Sequence, residues 1–164
     1  MSDQPKESRN SISSRKIHKV YDKKVKQITK SKKLNLGNGS TTNFQLDEAA
    51  LQLLPPGKYQ GTFPYNKLPT LKSTHSCIIN LDNSTQPGSH WVAIYRSGLR
   101  LCCYDSFGRK AKQILPDMKI RKGLKVSNSD LDAEQTHDEK NCGPRCLAWL
   151  DIVYSKGIEE AMKI

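Results

Sequence analysis

Apolar and polar residues are distributed differently in two parts of the chain. From about residue 43 onward, short apolar runs alternate with polar loops, and residues 77–80, 91–95 and 99–104 are apolar runs of strand length. Such runs, bounded by turn residues, predict buried strands. Shorter strands are predicted around residues 124–126 and within the Pro- and Gly-rich stretch 57–72. Strands in the middle of the chain with helices at both ends predict an α+β fold.

Helices are predicted on both sides of these strands. Residues 47–54 begin with two acidic residues and are followed by Pro55 and Pro56, which would end a helix. A short helix is expected within residues 109–118, where Pro116 would break it. A longer helix is predicted from Cys142, because a Gly-Pro pair suits a first helical turn. Its apolar stripe at helical spacing consists of Cys146, Leu147, Leu150, Val153 and Tyr154.

The two central strands are predicted to form a hairpin that brings a histidine to an aspartate. Arg96, Ser97 and Gly98 are turn residues, and a two-residue loop at Ser97-Gly98 would place His90 directly opposite Asp105. Directly opposite residues have Cβ atoms about 5 Å apart on one face of the sheet. A slip of one residue would send the two side chains to opposite faces, so this prediction depends on the position of the turn.

Cys142 has the surroundings that a nucleophilic thiol needs. Its place at the positive end of a helix favours the thiolate, and the free N–H groups there can bind an oxyanion. His90 would be the base and Asp105 the group that orients it. The non-catalytic alternatives are that Cys142 and His90 are ordinary core residues and that Asp105 only forms a turn. His137 is a rival base, but no strand-borne carboxylate is predicted opposite it, so we interpret it as an exposed loop residue.

Six short stretches, in order along the chain, carry a family resemblance. Together they resemble the adenovirus maturation protease, adenain, and the related cysteine proteases of large DNA viruses, virophages and Polinton-like elements. The SUMO-deconjugating proteases are more distantly similar. The matching stretches are residues 59–63, 77–80, 88–91, 105–108, Gln135 and residues 141–143.

The resemblance implies a cysteine-protease-like fold, with a small central, mostly antiparallel or mixed sheet and the nucleophile at a helix N-terminus. It assigns Cys142 as nucleophile, His90 as general base and Asp105 as the orienting acid. Adenain has Glu at the position of Asp105, whereas the SUMO proteases have Asp. Gln135, in a loop that would otherwise predict a surface glutamine, is assigned to the oxyanion hole, seven residues before the cysteine as in adenain. No metal or organic cofactor is expected, although the sequence does not tell whether DNA or a peptide activates the enzyme.

Charge is concentrated at the N-terminus. The 164 residues carry a net charge of +11, and residues 1–42 hold eleven Lys or Arg against three acidic residues. Ile17, Val20, Val25 and Ile28 could give a short amphipathic helix there, but the apolar stripe is thin, which favours disorder or a helix that forms on binding. We therefore expect a flexible basic segment at 1–42, ending in a linker, and a protease domain at 43–164. The segment would recruit the enzyme to viral DNA, bound without sequence preference, or to an anionic capsid interior, or else serve as a solvated or localisation tail.

Composition limits where the protein acts and what it binds. No apolar run approaches the roughly 20 residues of a membrane span, and the N-terminus has no apolar signal core. Five cysteines, an odd number, are typical of a reduced intracellular protein. None forms a C-x-x-C pair, so no zinc site is expected among them. We expect a monomer in the infected cell and the virion, not a secreted or membrane protein.

Taken together, these features predict a cysteine endopeptidase, and the resemblance implies that it processes viral structural precursors near Gly-Gly-type sites. The alternative is an isopeptidase that removes a ubiquitin- or SUMO-like modifier with the same four residues. A nucleic-acid-binding protein built on an inactive protease scaffold is disfavoured, because all four polar groups are intact. An acyltransferase with the same residues is a third reading.

Overall fold

In the computed structural model, which describes residues 11–36, 41–81, 90–115, 122–135 and 139–164, five strands form one mixed sheet. The order of the strands in the sheet follows the sequence, β1-β2-β3-β4-β5. The central pairs β2/β3 and β3/β4 are antiparallel, and the outer pairs β1/β2 and β4/β5 are parallel. This arrangement confirms the prediction of an α+β protein with a mixed sheet. The strands are β1 (Tyr59–Pro64), β2 (Ser76–Asn80), β3 (Trp91–Ser97), β4 (Arg100–Tyr104) and β5 (Lys125–Asn128).

Helices cover the sheet on the side where the candidate nucleophile lies. The helices are α1 (Ile12–Lys30), α2 (Asn43–Leu53), α3 (Ala111–Ile114), α4 (Cys142–Lys156) and α5 (Ile158–Ala161). Residues of α1, α2, α4 and α5 share one apolar core with one face of the sheet, while α3 belongs to a second core on the opposite face. Both faces of the sheet are therefore covered, which explains why every residue of β2 is buried. No helix in the described ranges is both long and apolar enough to cross a bilayer.

Helix α4 begins at Cys142, as the sequence predicted. It packs against β3 and α1, and its buried face includes Cys146, Leu147, Leu150 and Val153. The start of α4 also lies close to the segment that leads into α2. A Cβ placed on Gly143 would lie 3.1 Å from side-chain atoms of Thr41 and Leu46. Glycine at position 143 thus allows this segment to approach the residue next to Cys142.

The hairpin between β3 and β4 has a different register from the predicted one. Ser97 pairs with Arg100 and Ala93 with Tyr104, so the two loop residues are Gly98 and Leu99 instead of Ser97 and Gly98. Gly98 has a φ of 60°, which a glycine adopts without strain. The register differs by two residues, which preserves the face of every side chain. His90 and Asp105 therefore remain on one face but are diagonal neighbours, not directly opposite.

The basic N-terminal part of the chain departs most from expectation. Residues 12–30, predicted to be flexible, form α1, and its apolar face is part of the main core. The prediction underrated this helix because it did not count Tyr21, which is fully buried. The Tyr21 hydroxyl is hydrogen-bonded to that of Tyr104 and accepts a hydrogen bond from Arg145 Nη1 at 3.2 Å. Residues 1–10 and 37–40, which also belong to the predicted flexible segment and linker, lie outside the described residues.

Candidate active site

His90 and Asp105 lie at the ends of β3 and β4 and are in direct contact. His90 Nε2 is 2.5 Å from Asp105 Oδ1, and both residues are buried. His90 immediately precedes β3 and Asp105 immediately follows β4, so the hairpin fixes both backbones at one edge of the sheet. Because Nε2 faces the carboxylate, Nδ1 is the ring nitrogen left to serve another group.

The His90–Asp105 contact changes the pKa of both side chains. Burial lowers the pKa of His90, but hydrogen bonding to Asp105 and interaction with the Cys142 side chain outweigh it, so the pKa is raised. Burial raises the pKa of Asp105, but hydrogen bonds from His90 and Arg109 outweigh it, so that pKa is lowered. The arrangement thus favours an imidazolium next to a carboxylate.

Phe107 and Arg109, which follow Asp105 in the sequence, contact both members of the His90–Asp105 pair. Arg109 donates to Asp105 Oδ2 from Nε at 2.8 Å and from its backbone N–H at 3.1 Å. The backbone N–H of Phe107 donates to Asp105 Oδ1 at 3.2 Å. The Phe107 ring stacks on His90, with centroids 4.7 Å apart and an interplanar angle of 27°. The carboxylate and the imidazole are therefore both held in fixed orientations.

Cys142 stands apart from the other cysteines of the chain. All five thiols are free and buried, but only Cys142 occupies a helix N-terminus and interacts with a histidine. Burial raises the pKa of Cys102 to about 11 and that of Cys103 to about 12. It also raises the pKa of Cys77 and Cys146 well above the usual value. These four thiols are core residues that stay protonated, as the sequence indicated.

Gln135 is buried on the loop that precedes α4, not exposed as its polar neighbours in the sequence would suggest. Its Oε1 accepts a hydrogen bond from Ser106 Oγ at 2.5 Å, and its Nε2 donates to the Glu139 carbonyl at 2.6 Å. The Glu139 carbonyl, which can only accept, fixes which end of the carboxamide is the donor, and the Ser106 hydroxyl holds the other end. An amide nitrogen carries two hydrogens, so one N–H remains for another acceptor.

The loop that carries Gln135 is tied to both sides of the site. The backbone N–H groups of Glu134 and Gln135 donate to the Ser106 carbonyl at 2.9 and 3.1 Å. On the other side, Glu139 Oε2 accepts from Asn141 Nδ2 and from Arg145 Nη2, each at 3.0 Å. Ser106 follows Asp105 and Asn141 precedes Cys142, so these contacts connect Gln135 to the neighbours of both residues.

Of the four residues predicted from the sequence, His90 and Asp105 are in direct contact, and Cys142 lies close enough to raise the pKa of His90. Gln135 joins them through Ser106 and Glu139. Sequence reasoning missed the roles of Ser106, Phe107 and Arg109, whose only signal was their position directly after Asp105. Trp91, the neighbour of His90 in the sequence, lies in the main core and donates from Nε1 to the Thr41 carbonyl at 3.1 Å. The rival base His137 lies outside the described residues.

Comparison with known proteins leaves the geometry as the main guide to function. No protein-family model matches the chain, and no curated protein matches it at a significant level.

Proposed function

We propose that the protein is a cysteine endopeptidase of the adenain type. The observation that carries this proposal is the 2.5 Å contact between His90 Nε2 and Asp105 Oδ1, with the same imidazole interacting with a thiol at the N-terminus of α4. A base oriented by a carboxylate and facing a nucleophile is the arrangement that covalent acyl transfer requires. The six stretches that resemble this protease family supply the same four residues in the same order.

In the proposed mechanism, His90 takes the proton from the Cys142 thiol through Nδ1. The thiolate forms a bond to the scissile carbonyl carbon, and the carbonyl oxygen becomes an oxyanion. The Cys142 backbone N–H and the second N–H of the Gln135 amide stabilise it. The C–N bond then breaks as His90 protonates the leaving amine, which leaves a thioester. Water attacks the thioester, gives a proton to His90 and releases the carboxylic acid and the thiol. No metal or organic cofactor takes part in this sequence.

The family resemblance supports viral structural precursors as substrates, cut near small residues such as Gly-Gly. It likewise supports action inside the infected cell and in the virion, as a monomer. The isopeptidase alternative uses the same chemistry on a different amine. The two are separated by the leaving group, which is an α-amine in a peptide bond and the ε-amine of Lys in an isopeptide bond.

The basic residues of α1 support DNA as a partner. Its core face is buried, and the opposite face exposes a row of cations at helical spacing. Such a row on a rigid helix is suited to phosphate contacts that do not depend on sequence. The exposed cations are Arg15, Lys16, Lys19, Lys23, Lys26 and Lys30.

A matched pair of substrates tests the proposed function. Two fluorogenic peptides with the same Leu-Arg-Gly-Gly acyl part are incubated with the reduced full-length protein, one with an α-peptide bond after Gly-Gly and one with an ε-linked Lys. The proposal predicts cleavage after Gly-Gly in the α-linked peptide by the wild type and none by Cys142→Ala. Preference for the ε-linked peptide would favour the isopeptidase. Cleavage of neither, or equal cleavage by Cys142→Ala, would refute the thiol mechanism.

A further inference from the structure

A second group of reactive side chains lies outside the candidate active site, between α1 and the loop that carries Gln135. His18 projects from α1, and Asp132 and Glu134 lie on the loop. His18 Nε2 is 3.9 Å from Asp132 Oδ2 and 3.8 Å from Glu134 Oε1. One ligand atom from each residue can be chosen so that all three lie within 4.8 Å of one another. Within the described part of the chain, this group alone has the spacing of metal ligands.

The Glu134 carboxylate and the Nε2 atom of His18 are buried without hydrogen bonds from the described residues. The Glu134 side chain is only 4% exposed. Among the described residues, neither of its carboxylate oxygens, nor His18 Nε2, has a hydrogen-bond partner. Buried polar atoms without partners are uncommon and costly. Burial accordingly raises the pKa of the Glu134 carboxyl to about 7, against the opposing effect of His18. A cation between them would satisfy all of these atoms.

The orientation of His18 is that of a metal ligand. Its Nδ1 lies 2.7 Å from the carbonyl oxygen of Ser14, which can only accept, so Nδ1 carries a hydrogen. In the neutral imidazole this leaves a lone pair on Nε2, directed at the two carboxylates. Metal-binding histidines usually donate their other ring N–H to a carbonyl or carboxylate in this way.

The backbone around the group is already fixed. The Glu134 N–H donates to the Ser106 carbonyl at 2.9 Å. Gly108 packs so tightly that a Cβ placed on it would lie 2.7 Å from the Asp132 carbonyl carbon. On the other side, α1 is anchored in the main core through Ile17 and Tyr21. The three side chains are thus held close together by the fold, and Asp132 and His18 remain 17% and 13% exposed, which leaves an approach from solvent.

We propose that His18, Asp132 and Glu134 form a Zn²⁺ site that ties helix α1 to the loop carrying Gln135. Zn²⁺ takes nitrogen and carboxylate ligands at about 2.0–2.2 Å in tetrahedral geometry, which places neighbouring ligand atoms about 3.4 Å apart. The observed 3.8 and 3.9 Å need only a small contraction. One imidazole and two carboxylates leave the fourth position to water. The imidazole disfavours Mg²⁺ and Ca²⁺, which prefer oxygen ligands.

This site was not among the cysteine-containing candidates considered from the sequence, because His18 lies more than a hundred residues from its partners. It also does not depend on the proposed protease activity. The competing explanation is that a protonated His18 balances the two carboxylates, as its raised pKa beside Glu134 would allow. In that case the group would bind no metal.

Metal binding by the full-length protein tests the proposal. All variants carry Cys142→Ser, so that the thiol next to His90 cannot bind Zn²⁺. Isothermal titration calorimetry should show one Zn²⁺ per chain and no binding of Mg²⁺. His18→Gln and Glu134→Gln should each weaken Zn²⁺ binding at least tenfold, since loss of even an outer-shell partner costs 10- to 100-fold. Co²⁺ should give the visible absorption of a tetrahedral site in the parent and not in His18→Gln.

His75→Gln is the matched control. Like His18, His75 lies with Nδ1 against a backbone carbonyl, that of Ser73 at 3.0 Å, but it does not belong to the metal-spaced group. His75→Gln should bind Zn²⁺ like the parent, and far-ultraviolet circular dichroism should show that each variant is folded. The isosteric Glu134→Gln keeps the test valid if His18→Gln is unstable. Absence of Zn²⁺ binding by the parent, or undiminished binding by Glu134→Gln, would overturn the proposal.

Discussion

Replacement of Ser106 by alanine tests whether Gln135 acts as an oriented donor. Ser106 Oγ donates to Gln135 Oε1 at 2.5 Å, and only this hydroxyl is removed, because the Ser106 carbonyl keeps its two backbone partners. A buried hydrogen bond of this kind contributes about 1 kcal/mol. Its loss should let the amide leave its productive orientation and lower kcat about fivefold, with little change in KM. Removal of the donor itself, in Gln135→Ala, should cost about 3 kcal/mol, or roughly 100-fold in kcat.

The double variant provides the decisive comparison. If Ser106 acts only through Gln135, Ser106→Ala should have no further effect on kcat in the Gln135→Ala background, whereas independent effects would multiply to about 500-fold. Ser76→Ala is a matched control, since Ser76 is another buried serine, hydrogen-bonded at 3.0 Å to the hydroxyl of Tyr154, which lies at the opposite end of α4 from Cys142. It should lower stability but not kcat. The measurement is steady-state kinetics on a Gly-Gly peptide. The reasoning would be refuted if the kcat of Ser106→Ala equalled that of the wild type, or if Ser106→Ala lowered kcat as much in the Gln135→Ala background as in the wild type.

Three further predictions concern the thiol, the imidazole and the basic helix. Under native conditions iodoacetamide should modify Cys142 before the four core thiols, as peptide mapping would show; earlier labelling of another thiol would contradict its activation. Titration of His90 by NMR should give a pKa above about 6.5, which Asp105→Asn should lower. Their ion pair should stabilise the fold only between the lowered Asp105 pKa and the raised His90 pKa, and an unchanged His90 pKa in Asp105→Asn would count against the contact. Replacement of four exposed lysines of α1 by Gln should weaken the salt dependence of binding to duplex DNA, measured by fluorescence anisotropy. If each lysine contacts a phosphate, the slope of log K against log salt should fall in magnitude by about 3.6. An unchanged slope would place the DNA contacts elsewhere. These lysines are Lys16, Lys19, Lys23 and Lys26.

Much of the fold could be predicted from apolar patterns because the elements concerned are buried on both faces or along a clear stripe. Strands β2, β3 and β4 and helix α4 belong to this class. The proximity of His90 to Asp105 was also predictable, since a register error of two residues preserves the face of each side chain. The register itself was wrong because the observed loop uses Leu99, an exposed apolar residue that carries no turn signal.

Other features depend on contacts between distant segments, which local patterns do not contain. Helix α1 was underrated because Tyr21 is buried only by virtue of partners 83 and 124 residues away, Tyr104 and Arg145. The burial and hydrogen bonding of Gln135 could not be predicted for the same reason, since its partner Ser106 lies 29 residues before it. One consequence is that deletion of residues 1–42, which the sequence predicted to be a flexible segment, should destabilise the protein by exposing the core against which α1 packs.

Detection of an acyl-enzyme on Cys142 tests the central claim most directly. The p-nitrophenyl ester of a Leu-Arg-Gly-Gly peptide makes acylation fast, so that hydrolysis of the thioester limits turnover and the intermediate accumulates. After an acid quench, mass spectrometry should find the peptidyl group on the proteolytic fragment that contains Cys142, and hydroxylamine should remove it. Asp105→Asn should acylate more slowly at the same residue. An adduct on any other residue, or turnover of a Gly-Gly peptide by Cys142→Ala, would contradict the assignment of Cys142 as the nucleophile.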